Sequence, residues 1–90
     1  MPTICRFAGV TIRMYHREHG PPHFHAYAGG AMAVFEIETL RMVRGDLPGP
    51  LTAMVVEWGM ARRQELYEDW HLAEQREPLL PIEPLERTRG

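Results

Sequence analysis

Apolar and polar residues alternate with period two through residues 10–17. Val10, Ile12 and Met14 fall on one side and Thr11, Arg13, Tyr15 and Arg17 on the other, which predicts a half-buried strand. A shorter apolar run over 4–7 precedes it across an Ala8-Gly9 turn, and Gly20, Pro21 and Pro22 end it. Two further strands are predicted over 23–28 and 31–38, joined by Gly29-Gly30, a dipeptide suited to the positive φ of a two-residue hairpin. If both glycines form the loop, Ala28 pairs with Ala31 and the register runs back to His23 opposite Glu36. Directly opposed residues project to the same face. Phe24, Phe35, Ala26 and Ala33 then make an apolar face. His23, His25, Tyr27, Met32, Val34 and Glu36 make the other.

Beyond this hairpin, residues 39–44 fit either a short edge strand or one turn of helix, and GDLPGP (45–50) reads as a loop. From Leu51 the period changes. Leu51, Met54, Val55, Trp58 and Ala61 recur at steps of three and four, with Pro50 suited to the first helical position. The stripe continues less regularly through Arg62, Glu65, Leu66 and Trp70. Gly59 either weakens the helix or lets it approach the sheet closely. The segment 79–85 is a possible extra edge strand, and 86–90 is expected to fray. The predicted fold is α+β: a curled, mostly antiparallel sheet of about four strands packed on one long C-terminal helix, in one domain over 1–85. One helix covers one face, so the histidine face is expected to be left open.

Composition narrows the partners. Ninety residues make a thin core that a second subunit would help to cover. A net charge of −2 argues against a strongly basic nucleic-acid module, though not against a local basic cluster. The single cysteine, Cys5, rules out an internal disulfide and is expected to pack as a small hydrophobe. No apolar run reaches membrane-spanning length and no signal-peptide pattern opens the chain, so the expectation is a cytoplasmic protein without membrane association.

The chemistry concentrates in HGPPHFHAY, residues 19–27. His23 and His25 share one strand face, with Cβ atoms roughly 6.5–7 Å apart. That separation suits one phosphate or one metal ion. Glu36, opposite His23 in the hairpin register, is the expected carboxylate for orienting its ring, and the neighbouring strand adds Arg13, Tyr15 and Arg17. Arginine for phosphate charge, histidine for proton transfer and tyrosine for base stacking together suit an RNA phosphodiester, with His23, His25 and Glu36 as the catalytic set and Arg13, Tyr15, Arg17 and Tyr27 as substrate contacts. The 2′-hydroxyl can serve as the nucleophile, so no cofactor is required. Two other readings stand beside this one. A metal site would need His23, His25 and one of His16, His19 or Glu36, without support from any HExxH or CxxC motif. A binding surface, for a homodimer or another protein, would use Tyr27, Met32 and Val34 as anchors. A sheet face decorated with polar side chains needs no function at all.

The opening MPTICRF, the HGPPHFHAY stretch, EWGMARRQELYEDW and the closing IEPL together resemble a family of small bacterial proteins, the domain-of-unknown-function family numbered four thousand one hundred and sixty. The resemblance spans nearly the whole chain. It implies a toxin-like component of a two-gene module that binds an antitoxin-like protein from the adjacent gene, and it implies no established reaction. By motif it carries over to Pro21, Pro22, His23 and His25, and to Glu57, Trp58, Glu65, Leu66 and Trp70. Arg62 departs from the family pattern, which frequently has histidine there, and Asp69 stands where asparagine is common.

Overall fold

The computed structural model describes residues 3–16 and 18–85. Five strands follow one another in chain order: β1 (Thr3–Phe7), β2 (Val10–Arg13), β3 (His23–Ala28), β4 (Ala31–Glu36) and β5 (Met42–Asp46). They form one antiparallel sheet in the order β1-β2-β3-β4-β5. The β1–β2 turn uses Ala8 and Gly9 at φ +51° and +79°, and Gly29 opens the β3–β4 turn at φ +59°. All six pairs expected for the central hairpin occur, from Ala28–Ala31 to His23–Glu36.

The ambiguous segment after β4 resolves into a turn and then β5, with Leu40 at φ +57°. Gly45 and Asp46, expected in a loop, are the last residues of that strand. The sheet therefore has five strands rather than four. Residues 79–85 add no strand, but Ile82 donates its N–H to the Ile4 carbonyl at 2.8 Å and is buried. The expected fraying of 86–90 lies outside the described residues.

The single long helix is two: α1 (Gly49–Ala61) and α2 (Arg63–Glu74). Arg62 leaves helical geometry at φ −116°, ψ 20°. The break falls where the apolar stripe becomes irregular. α1 buries Val55 and Trp58, and α2 buries Leu66, Trp70 and Ala73, so the change of direction gives each half its own inward face. α1 covers the apolar sheet face as expected: Trp58 meets the Phe24 ring edge-on at 5.7 Å, and Phe24 stacks on Phe35 at 5.5 Å. Gly59 is buried, and a Cβ there would lie 2.6 Å from Leu40 Cδ2, so its value is close approach. Cys5 is buried, and that burial pushes its thiol up, in keeping with a packing role.

α2 runs past the end of the sheet. Arg63 Nε donates to the Ile37 carbonyl at 3.1 Å, and the Tyr67 hydroxyl donates to Glu38. Asp69, 1% exposed, accepts the Leu80 N–H at 2.9 Å through Oδ1, while Oδ2 has no partner among the described residues. Burial pushes its carboxyl above the usual range; the Leu80 N–H pulls it partly back, and Glu68 and Glu65 add to the rise. A raised folded-state value means the folded chain holds this proton more tightly than the unfolded chain does. Stability should therefore fall as pH rises from the unfolded value near 3.8 through the higher folded one, and this group should contribute no slope above it. Asp69→Asn keeps an acceptor for Leu80 and removes the buried charge. Urea titrations across this range are expected to show a flatter pH profile in the variant; parallel profiles would mean that Asp69 does not set the slope.

Candidate functional site

The histidine face is only partly open. The connection after β2 folds back over it, and His25 and Val34 are only 7% and 5% exposed. The Tyr15 ring stands perpendicular to the His25 ring at a centroid distance of 4.8 Å, and the Tyr27 ring lies nearly parallel to it at 6.3 Å. Val34, expected as an exposed anchor for a partner, is buried, with only a small part of it reaching the surface.

The same connection supplies the carboxylate at the centre of the site. Glu18 Oε1 lies 2.7 Å from His23 Nε2 and 3.2 Å from His25 Nε2. One oxygen thus serves two imidazoles from alternate positions of one strand. Gly20, at φ +88°, turns the connection, and Pro21-Pro22 leads it rigidly into β3. Pro22 also accepts the Ile37 N–H, which holds the entry of β3 against the end of β4. On its other side His23 donates Nδ1–H to the Pro21 carbonyl at 2.8 Å. Its ring packs against Trp70 of α2 at 5.1 Å. His25 Nδ1 is buried without a hydrogen-bond partner among the described residues. Burial works against the charge on Glu18, but the hydrogen bonds and charges of both histidines outweigh it and hold its carboxyl below the usual range.

Glu36 faces His23 across the hairpin, as the register requires, yet its carboxylate accepts the Thr39 hydroxyl at 3.0 Å. The carboxylate on His23 is Glu18, which neither strand periodicity nor hairpin pairing points to. Its signal was available: an acid five residues before His23, separated from it by a Gly-Pro-Pro turn that can fold it back. The expected substrate contacts divide. Tyr15 and Tyr27 join hydroxyl to hydroxyl at 2.7 Å, and the Arg13 guanidinium lies over the Tyr27 ring at 5.1 Å while its Nε donates to Thr3. The bond to Tyr15, with burial next, raises the Tyr27 phenol. Arg13 and Tyr15, with Tyr27 of β3 itself, thus surround the His25 end of the cluster. Arg17 lies outside the described residues.

A cleft of about 260 Å3 opens beside the cluster, lined by Glu18, His23, Val34, Glu36, Val43 and Arg44. His23 therefore faces the cleft, whereas His25 stands behind Glu18. Among the described residues, Arg44 is the arginine in this lining. His16 and His71 are exposed and take no part in the cluster, and His19 is an exposed member of the cleft lining. Among the described residues, no helix is long and apolar enough to cross a membrane.

Compared with known protein families, residues 9–71 match the family described as a domain of unknown function, DUF4160. No curated protein and no solved structure matches the chain.

Proposed function

The chain belongs to the DUF4160 family, and from that premise we propose that it is the toxin-like component of a two-gene bacterial module, acting on RNA at the Glu18–His23–His25 cluster. One observation carries the proposal. A single carboxylate oxygen holds two imidazole nitrogens at 2.7 and 3.2 Å on the wall of a cleft that also presents an arginine. Proton transfer needs a titrating group within hydrogen-bond reach of substrate and a second group that fixes its orientation. His23 is the former, since it lines the cleft. Glu18 and the Pro21 carbonyl are the latter, and His25 in turn positions Glu18.

In the reaction this suggests, the 2′-hydroxyl of RNA attacks the adjacent phosphorus and gives its proton to the Glu18 carboxylate. The P–O5′ bond breaks, and the proton shared at His23 Nε2 passes to the departing 5′-oxygen, leaving a cyclic phosphate and a 5′-hydroxyl; the proton on Glu18 then returns to His23. Arg44 would offset charge on the phosphoryl oxygens. The adjacent gene's product is the proposed partner, and covering this cleft is the proposed mode of neutralisation.

Expression of the wild type in bacteria without its gene neighbour is expected to arrest growth and degrade RNA. The His23→Ala/His25→Ala variant should lower RNA cleavage by about 10²–10⁴-fold, the usual contribution of general acid–base groups. A folded double variant that cleaves RNA and stops growth as the wild type does would end this reading. A dimer or docking surface built on Tyr27, Met32 and Val34 has less support, because Val34 is 5% exposed.

A further inference from the structure

The hydrogen bonds around His23 pose a problem in charge. The Pro21 carbonyl can only accept, so Nδ1 of His23 carries hydrogen. In the neutral ring Nε2 then presents a lone pair, and it does so to a carboxylate oxygen 2.7 Å away. Two acceptors at that distance need something positive between them: a second proton, or a cation.

We infer that Glu18, His23 and His25 form a three-ligand site for a divalent first-row transition ion, with zinc the best match. Glu18 Oε1, His23 Nε2 and His25 Nε2 come from one place in the fold, and the potential ligand atoms lie within 4.8 Å of one another. With zinc–ligand bonds of about 2.0–2.1 Å, tetrahedral ligands sit roughly 3.3 Å apart. The 3.2 Å separation from Glu18 Oε1 to His25 matches that spacing, and the 2.7 Å separation to His23 would have to widen by about half an ångström, a small movement for a partly exposed glutamate. Two imidazoles and one carboxylate are the donor set of known hydrolytic zinc sites and of the facial triad that binds non-haem iron.

The surroundings support a cation as well. The Nδ1–H of His23 is anchored on a backbone carbonyl, the outer bond that metal-bound histidines regularly make. The His25 ring is fixed by Tyr15 and Tyr27 instead. Glu36 adds a second carboxylate to the cleft wall, set against one arginine, Arg44, among the described residues. The remaining coordination positions would face the cleft, as in metal sites that admit substrate rather than closed structural ones. The inference does not depend on RNA being the substrate. An ion between Glu18 and His23 would occupy the place of the shared proton, so it and acid–base use of His23 Nε2 are alternative states of one cluster.

The test uses the full chain, purified without a polyhistidine tag, stripped with chelator and titrated with Zn2+ alone. Calorimetry is expected to give one ion per chain, with a rise in melting temperature that chelator reverses. Glu18→Gln keeps the shape of a side chain that is 32% exposed and so should leave the fold intact. It is expected to weaken zinc binding at least about a hundredfold, since losing even an outer-shell partner weakens sites by 10–100-fold. His71→Ala, on the far part of α2, should bind as the wild type does. Absence of saturable binding in the folded wild type, or unchanged affinity in folded Glu18→Gln, would overturn the assignment. Both readouts are independent of RNA cleavage.

Discussion

Trp58→Ala is expected to leave much of the protein unfolded under conditions in which the wild type is native. Trp58 is fully buried, and its ring lies against Phe7 at 5.6 Å and Phe24 at 5.7 Å. Its indole N–H donates to the Glu83 carbonyl at 2.8 Å. One side chain therefore ties together the first strand, the middle of the sheet, α1 and the C-terminal segment. Replacing a buried Trp by Ala costs about 3–5 kcal/mol. Small domains typically have a total stability of roughly 5–10 kcal/mol, so the loss takes a large share of it. Urea denaturation followed by circular dichroism should show the midpoint fall steeply. Trp58→Phe retains most of the ring contact and loses the bond to Glu83, and should cost about 1–2 kcal/mol less than the alanine. A Trp58→Ala midpoint close to wild type would mean the helix layer is held elsewhere.

Gly45→Ala is the second large effect. Gly45 stands at φ +78°, and a Cβ there would come 2.1 Å from the Met32 carbonyl oxygen and 2.9 Å from Ala33 Cα. Neither neighbour is the movable end of a side chain. Left-handed backbone in an L-residue costs about 1–2 kcal/mol before any clash is counted, so β5 would have to separate from β4. The β4–β5 register already shifts between Val34 and Phe35, where Val43 is the extra residue on β5, and Gly45 closes that irregular stretch. Faster amide exchange is expected in β5 while β1–β3 keep their protection, and the cleft that Val43 and Arg44 line should lose its shape. Protection in β5 equal to wild type would show that the strand can absorb the methyl group.

The central hairpin was legible because two cues agreed. Gly29-Gly30 fixed a two-residue loop, and the apolar alternation of Phe24, Ala26, Ala33 and Phe35 allowed only one register. The break at Arg62 was less legible, since no proline or glycine sits there. It follows from the direction α2 must take to bury Leu66 and Trp70, which is a tertiary requirement. β5 was ambiguous because its residues are mostly exposed, and an edge strand with solvent on both sides has no alternation to read.

The site was half legible for the same reason. Strand periodicity placed His23 and His25 on one face, and hairpin pairing drew attention to Glu36. Pairing gives the position of Cα atoms, however, and Glu36 has a nearer partner in Thr39. Glu18 lies in an irregular connection, where no period relates a residue to its neighbours in space. The expectation of an open face failed on this segment too. Counting helices showed that one layer could cover one side, but the connection between β2 and β3 is also a partial cover.

Every strand of this sheet pairs with the strand next to it in the chain. Such a sheet can assemble through a series of short loop closures, each with a small entropic cost, and it belongs with the faster-folding β architectures. The bond between Ile82 and Ile4 is of the opposite kind, since it joins the two ends of the described chain. It has nothing to dock against until the sheet and helices are in place. Assembly on the ribosome should therefore run from the meander outward, with the cluster at β3 formed before the last segment has been made.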